Sequence, residues 1–441
     1  MPRRYAIVGS GIAGLTAAEA IRARDANATI LMISEEKHDF YSRPGLAYLL
    51  RGDLPEHQLF VRNRDELRAL NLQRVTRPVL ELLGGQHELI LEGGERLRYD
   101  RLLLATGAVA AAVPFPGGDL GGVVKLDSLD DARRILKQAG RGRTAVVVGG
   151  GITALELVEG LQARRMKVHY FLRGDRYWAD VLDETESQIV INRLRHEGVK
   201  IHTNTQIQEV LGRRGLIQSV ETQDGRTIAC DMLAVAIGVK PRIELASRAG
   251  LNVDRGIVVN PYMQTNIFDI FAAGDVAQVR ELTGNHLPMD VLWPTAIVQG
   301  RVAGANMAGE RIAYVKDVPF NVTQLAGLKV TIIGAVGKGQ DADLVTIARG
   351  DSQAWRMSAS AAVVADRDGV NRVRLMIGER YIVGALVIGD QTWSRPLQRL
   401  VGSKVDIGSI RTALAEGGTE ALDQLARFYG EWERAAATRG T

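Results

Sequence analysis

The stretch Tyr5-Ala-Ile-Val-Gly9-Ser-Gly11-Ile-Ala-Gly14 decides the fold, because it recurs as Thr144-Ala-Val-Val-Val-Gly149-Gly-Gly151-Ile-Thr-Ala154. Each copy sets an apolar strand, a glycine turn and an alanine-rich helix in a row, the context that a G-x-G-x-x-G/A match requires. The first glycine of such a turn makes the tight bend, the second lets the backbone approach a pyrophosphate, and the third permits close helix–strand packing. Gly9, Gly11 and Gly14 take these roles in the first copy, and Gly149, Gly151 and Ala154 in the second. The anion then sits at the helix N-terminus, where free N–H groups and the helix dipole favour negative charge. Two copies imply two dinucleotides in one protein, most simply a flavin and a nicotinamide. An acid about 20 residues further on binds the ribose hydroxyls in this motif. Glu35, with Glu36 beside it, stands at that place after the first fingerprint; the competing reading is a pair of solvated surface acids.

The 441 residues are too many for one core and suggest two to four domains. Apolar content of 46% and charged content of 24% fit a soluble globular protein. The net charge of +4 is small and scattered, and aromatics make up only 5%, which argues against nucleic-acid binding. Cys230 is the single cysteine, so an internal disulfide, a C-x-x-C pair and a cysteine-based metal site are excluded. A cytoplasmic, reducing compartment is the expectation. Arg3-Arg4 before an apolar run mimics a secretion signal, but Glu19 breaks the run and strand, turn and helix already account for it. No stretch approaches the roughly 18–20 uncharged apolar residues of a membrane span.

Along the chain, apolar runs predict strands at Ala28 to Ile33, Arg101 to Thr106, Thr144 to Val148, Lys167 to Leu172 and Met232 to Ile237. Pro114-Phe-Pro-Gly-Gly118 reads as a crossing between domains. A further strand-turn, Ile270-Phe-Ala-Ala-Gly274-Asp275, precedes a helix from about Pro294. From about 316 the pattern changes to short β-rich runs, Arg372 to Met376 and Tyr381 to Ile388, which suggests a hairpin-based domain. In the tail, Thr419 to Ala437, the residues Leu422, Leu425, Phe428 and Trp432 share roughly one helical face. That stripe suits a core or a homodimer contact, with a membrane-surface role as the alternative.

These motifs together resemble the two-dinucleotide-binding flavoprotein reductases of the pyridine nucleotide-disulfide oxidoreductase superfamily. The resemblance covers roughly residues 4–310. It rests on Gly9 to Gly14, Ala105-Thr106-Gly107, Gly149 to Ala154 with Glu156, Ala236-Ile-Gly238-Val239-Lys240-Pro241 and Ala273-Gly274-Asp275. It implies an α/β fold with two Rossmann-like domains, for FAD and NAD(P), the second inserted in the first, plus a small α+β C-terminal domain. The expected boundaries are 1–115 and 238–315 for FAD, 116–237 for NAD(P), and 316–441 for the last domain. The resemblance places Asp275 on the ribityl chain near the pyrophosphate. It aims the helix opening at Trp293-Pro294-Thr295-Ala296 toward the flavin pyrimidine edge, where a helix dipole would stabilise the reduced, anionic flavin. Ala13, Arg43, Pro44, Val79, Gly238 and Gly274 complete the implied flavin set, and Ile152 and Thr153 the nicotinamide set.

In NADH users of the family an acid ends the strand after the second fingerprint. Here that strand reads Val168-His-Tyr-Phe-Leu172-Arg173-Gly-Asp-Arg176, with Leu172 at the expected acid position. Arg173 and Arg176 could clamp a 2′-phosphate instead, so NADPH is the expected donor and NADH the alternative. Glu156 matches a family glutamate beside the nicotinamide and flavin N5. Its lysine partner is replaced by Tyr48 in Arg43-Pro44-Gly45-Leu46-Ala47-Tyr48, and these two are the expected catalytic residues. Disulfide reductases of the superfamily carry a C-x4-C pair after the FAD acid, whereas this chain has Tyr41-Ser42-Arg43-Pro44. Without a thiol stage, electrons must pass directly from flavin to an acceptor. The run Arg380 to Asp390 and Leu328-Lys329-Val330 resemble the third domain of rubredoxin reductases and the flavin module of assimilatory nitrite reductase. The expected activity is therefore an FAD-dependent NAD(P)H oxidoreductase with a rubredoxin-, ferredoxin- or nitrite-reductase-like protein acceptor. An NAD(P)H oxidase or quinone reductase and a flavin-bearing redox sensor are the alternatives.

Overall fold

The computed structural model describes residues 2–281, 287, 289, 291–337, 360–367 and 370–439. The first fingerprint strand, Arg4–Val8, lies at the centre of a five-stranded sheet in the order Ile270–Ala272, Arg101–Leu104, Arg4–Val8, Thr29–Ser34, Leu72–Thr76. All four pairings are parallel. A parallel sheet covered on both faces needs strands that are apolar throughout, and Tyr5 to Val8 are all buried. The same plan recurs around the second fingerprint strand, in the order Lys200–His202, Lys167–Phe171, Thr144–Val148, Met232–Val235, Val123–Val124, again parallel throughout. The second sheet is drawn entirely from residues between two strands of the first, so it is an insertion. The two crossings, Ala108–Ala110 and Val239–Pro241, pair with each other as an antiparallel ribbon.

Each fingerprint helix starts directly after its turn: Ile12–Arg24 in the first and Ile152–Ala163 in the second. The helix Trp293–Met307 crosses the first of these at close range. A Cβ on Gly300 would lie 2.3 Å from the Ala13 carbonyl oxygen, and one on Gly304 would lie 2.4 Å from that of Ala17. Two glycines one turn apart thus let two backbones touch, which fixes where the N-terminus of Trp293–Met307 points.

By contact density the chain divides into two compact units, Met1–Arg173 with Gly198–Val315, and Gly174–Glu197 with Lys316–Thr441. The second unit is built on an antiparallel sheet in the order Phe320–Leu325, Leu328–Gly334, Ile382–Ile388, Asn371–Ile377, Ser360–Arg367. The helix Gly418–Arg439 places Leu425 in the core of this unit, with Leu422, Phe428 and Trp432 packed against it. The apolar stripe of the tail is therefore core. The helix Glu184–His196 joins the same unit through charge. Glu186, 0% exposed, accepts from Arg374 at 2.9 Å, and Asp183 accepts from Arg372 at 2.8 Å. Arg374 also donates to the carbonyl oxygens of Val181 and Val336. No described helix is long and apolar enough to cross a membrane.

Candidate cofactor-binding and active site

A cleft of about 450 Å³ opens where the strands of the first sheet end, the edge at which open parallel sheets bind ligands. Gly9, Gly11, Ala13, Glu35, Glu36, Arg43, Pro44, Val79, Ala105, Thr106, Gly107, Gly274, Asp275 and Ala296 all line it. Gly14 lies beneath the turn, where a Cβ would come within 2.1 Å of the Gly9 carbonyl oxygen. Gly9 holds φ +115°, and its Cβ would lie 2.1 Å from the Ala105 carbonyl oxygen. Nothing stands within 4 Å of a Cβ on Gly11, and that space faces the first turn of the helix, which has no side-chain cap. Uncapped N–H groups beside open space are what an anion needs. Pro294 and Thr295 sit in the first turn of Trp293–Met307, whose Trp293 and Ala296 line the cleft.

The charges along the cleft are ordered by ion pairs that local sequence does not reveal. Arg242 donates to Glu35 Oε1 at 2.6 Å, while its own backbone is tied to Thr106 and Gly107. Glu36 accepts from Arg43 and, at 2.8 Å, from the Tyr41 hydroxyl. Arg242, Arg77 and Arg248 line the cleft as well and were missed by sequence reasoning. The sole signal for Arg242 was its place directly after Val239-Lys240-Pro241. Gly274 donates its N–H to Gln299 at 2.9 Å, which fixes the turn before Asp275. Burial pushes the Asp275 carboxyl up to about 6, against the opposing pull of Arg43. No described residue hydrogen-bonds that carboxylate, so it is an acceptor awaiting a donor such as a ligand hydroxyl. The open Gly11 turn, the paired acids Glu35 and Glu36 and this unpartnered acid fit a flavin adenine dinucleotide.

The second turn repeats the geometry. Gly149 has φ +144° with its Cβ direction blocked by the Ala236 carbonyl oxygen at 2.1 Å, and Gly151 faces open space. Ala154 is fully buried, and Ile152 and Thr153 begin the helix. Gly238, at φ +113°, follows the strand Met232–Val235. The register corrects one expectation. Val8 pairs with Ile33 and Val148 with Phe171, so Leu172 corresponds to Ser34 and Arg173 to Glu35. Leu172 is 1% exposed because its backbone continues the sheet contact with His202 and its side chain turns inward. The exposed Arg173, and not Leu172, therefore takes the place that Glu35 holds in the first unit. Arg176 belongs to the other compact unit and pairs with Asp175.

Glu156 lies one turn into the second fingerprint helix and is half-buried. That helix packs against Gly45–Arg51, where a Cβ on Gly160 would stand 2.8 Å from Leu50 Cβ. Tyr48, on the latter helix, is 40% exposed, and the Arg51 guanidinium lies 4.7 Å over its ring. Burial, reinforced by the Glu159 carboxylate and opposed by Arg51, pushes the Glu156 carboxyl up to about 7. Cys230 is 5% exposed, and burial pushes its thiol up to about 12, so it is inert.

The sequence profile of the pyridine nucleotide-disulphide oxidoreductase family matches residues 3–300. The ferredoxin–NAD(+) reductase component of the biphenyl dioxygenase system of Paraburkholderia xenovorans is 31% identical over 400 residues, 87% of this chain and 95% of that protein. An NADH oxidase of Methanocaldococcus jannaschii is 31% identical over 337 residues, 74% and 75% of the two chains. In fold, the chain is similar to putidaredoxin reductase in its covalent complex with putidaredoxin, with a TM-score of 0.80 at 24% identity over 91% of this chain and 93% of that one.

Proposed function

The chain belongs to the pyridine nucleotide-disulphide oxidoreductase family and is an FAD-dependent NAD(P)H oxidoreductase, and we propose that it draws on NADPH and delivers electrons from the flavin directly to a small redox protein. The observation that carries the second half is the chemistry after the first acid. Ser42 occupies the position where disulfide-reducing relatives keep a thiol, and the one cysteine is buried and held protonated. When bound, FAD accepts hydride and releases electrons; the chemistry is the cofactor's. The chain's own residues bind and aim. We assign the ribose acceptors to Glu35 and Glu36, the pyrophosphate to the Gly11 turn and the ribityl hydroxyls to Asp275. The N-terminus of Trp293–Met307 supplies positive potential at the cleft. Residues 116–237 hold the nicotinamide nucleotide, with Glu156 and Tyr48 on the packed helices beside the reacting ends.

The preference for NADPH rests on Arg173 in the register of the first unit's ribose acid. A charge-assisted hydrogen bond is worth roughly 1.5–3 kcal/mol, so Arg173→Glu, which also repels phosphate, should cost about ten- to a hundredfold in NADPH efficiency while sparing NADH. Equal wild-type kinetics with both nucleotides, unchanged by that substitution, refutes the assignment. The acceptor is tested by anaerobic titration and turnover. NADPH uptake should stop at the two electrons of the flavin, Cys230→Ser should change nothing, and a ferredoxin-type protein should be reduced faster than oxygen. Fast turnover in air without a partner protein would favour an oxidase, the activity named for the Methanocaldococcus relative.

A further inference from the structure

Glu156 does not stand alone on its helix. Glu159 lies one turn on, on the same face, and i,i+3 side chains are neighbours. A half-buried carboxylate beside a buried one cannot ionise as freely as in water. Between them and the helix Gly45–Arg51 lies the guanidinium of Arg51. It donates to Glu159 Oε2 at 2.9 Å and to Asp53 Oδ2 at 2.7 Å, and its Cζ lies 4.7 Å from the centroid of the Tyr48 ring. Arg51 is 11% exposed and Glu159 9%. The remaining nitrogen, Nη2, is buried without a hydrogen-bond partner. The next arginine, Arg164, is spent on the carbonyl oxygens of Leu49 and Leu50. Arg51 thus stands among three carboxylates, Glu156, Glu159 and Asp53, and its hydrogen bonds go to the latter two.

We propose that Arg51 is a positioning residue for the reaction: by locking Glu159 in an ion pair it decides which of two neighbouring carboxylates holds the exchangeable proton, and leaves that role to Glu156. This rests on the reading of Glu156 as an active-site group. With Glu159 held by Arg51, the Glu156 carboxyl is pushed up by burial and by the Glu159 charge against the pull of Arg51. Pushed up to about 7, that carboxyl can take up or release a proton near neutral pH. Removing either member of the pair changes that balance in opposite directions. Without Arg51, Glu159 loses this ion pair and the acids repel more strongly. Without the Glu159 charge, the freed Nη groups can turn to Glu156 and favour its anion.

The test uses the FAD-loaded protein and reads the flavin midpoint potential against pH, alongside the carboxyl carbon-13 resonances of glutamate-labelled protein. Wild type should show a break near pH 7, lost with its resonance in Glu156→Gln. Arg51→Gln should move the break up, and Glu159→Gln should move it down, each by about one pH unit or more. Arg51→Lys should stay near wild type. A merely structural Arg51 would lower thermal stability in both variants without moving the break in opposite directions. If Arg51→Gln does not retain FAD, the isosteric Glu159→Gln alone decides the matter. A break that Glu156→Gln abolishes but neither Arg51→Gln nor Glu159→Gln shifts overturns the inference and leaves the role of Glu156 standing. A break that survives Glu156→Gln, or no break in wild type, overturns that role and the inference together.

Discussion

Gly9 and Gly11 are two residues apart in one turn, yet the structure gives them opposite jobs, and substitution should separate them. Gly9 holds φ +115°, and a methyl group there would sit 2.1 Å from the Ala105 carbonyl oxygen. Gly9→Ala therefore combines a disfavoured backbone conformation, roughly 1–3 kcal/mol, with overpacking against main chain, roughly 1–3 kcal/mol. A total of about 2–6 kcal/mol is a large part of the roughly 5–15 kcal/mol that keeps a domain folded. Gly11 instead has φ −73° and ψ −175°, which any residue adopts, with nothing within 4 Å of its Cβ direction. Gly11→Val should cost the apoprotein no more than about 1 kcal/mol, the difference between glycine and an apolar residue at an N-cap. On the proposed assignment the open space receives the pyrophosphate at the free N–H groups, so the valine should exclude it. Losing even one charge-assisted bond of roughly 1.5–3 kcal/mol weakens FAD at least about tenfold. Denaturant unfolding of the two apoproteins and fluorescence titration with FAD measure both quantities. A Gly11→Val protein that binds FAD like wild type, or a Gly9→Ala apoprotein as stable as Gly11→Val, would refute the division of roles.

Two further predictions concern stability. His169 and His202, on paired strands, stack with ring centroids 5.2 Å apart and share a hydrogen bond of 3.1 Å. Burial, the His202 ring and Lys200 push His169 down to about 4, and burial, Arg226 and Lys200 lower His202 against the pull of Asp224. A histidine with a depressed folded pKa contributes stability that is complete above its unfolded value of about 6.5 and is lost as pH falls toward 4. His169→Gln should flatten the pH dependence of unfolding between those limits, and an unchanged slope would count against the pair. In the second unit, Glu186→Ala removes the nearer carboxylate of the buried Arg374, leaving only Asp183 at 3.8 Å, and should cost roughly 3–5 kcal/mol. Arg68→Ala, which removes the exposed pair with Asp65, should cost less than about 1 kcal/mol in the same denaturant assay; equal losses would contradict the burial argument.

What could be read from the sequence was whatever is encoded over short spans. Strands buried on both faces leave continuous apolar runs, so Ala28 to Ile33 and Thr144 to Val148 coincide with the observed Thr29–Ser34 and Thr144–Val148 to within a residue. Glycine turns announce themselves because no other residue tolerates the φ of Gly9 or Gly149. The strand end at Leu172 was harder: an apolar residue one place past a strand looks the same whether it faces a ligand or the core, and only register against Val148 distinguishes the two. The ion pairs were out of reach for a different reason. Arg242 meets Glu35 across 207 residues, and Arg51 meets Glu159 across 108. A charged residue on its own carries no mark of its partner. The grouping of Gly174–Glu197 with the C-terminal strands depends on Arg372 and Arg374 in the same way.

The two fingerprints explain why this chain can hold two dinucleotides, but they would serve many reactions equally well. What makes the site particular is a small set of arginines, each aimed at an acid or standing where an acid would be. Arg242 and Arg43 hold the two candidate ribose acids of the first unit, Arg173 occupies the corresponding position of the second, and Arg51 ties down the carboxylate next to Glu156. Arginine suits this work because its planar, permanently charged fork engages several acceptors at once and does not itself titrate. A lysine at Arg51 could hold Glu159 but could not cover the Tyr48 ring with a planar face while also reaching Asp53. With no thiol to store electrons, the flavin's surroundings must tune both hydride arrival and electron departure. The residues available for that tuning are the carboxylates whose charge these arginines set: Asp275 at the edge of the cleft and Glu156 beside the second turn.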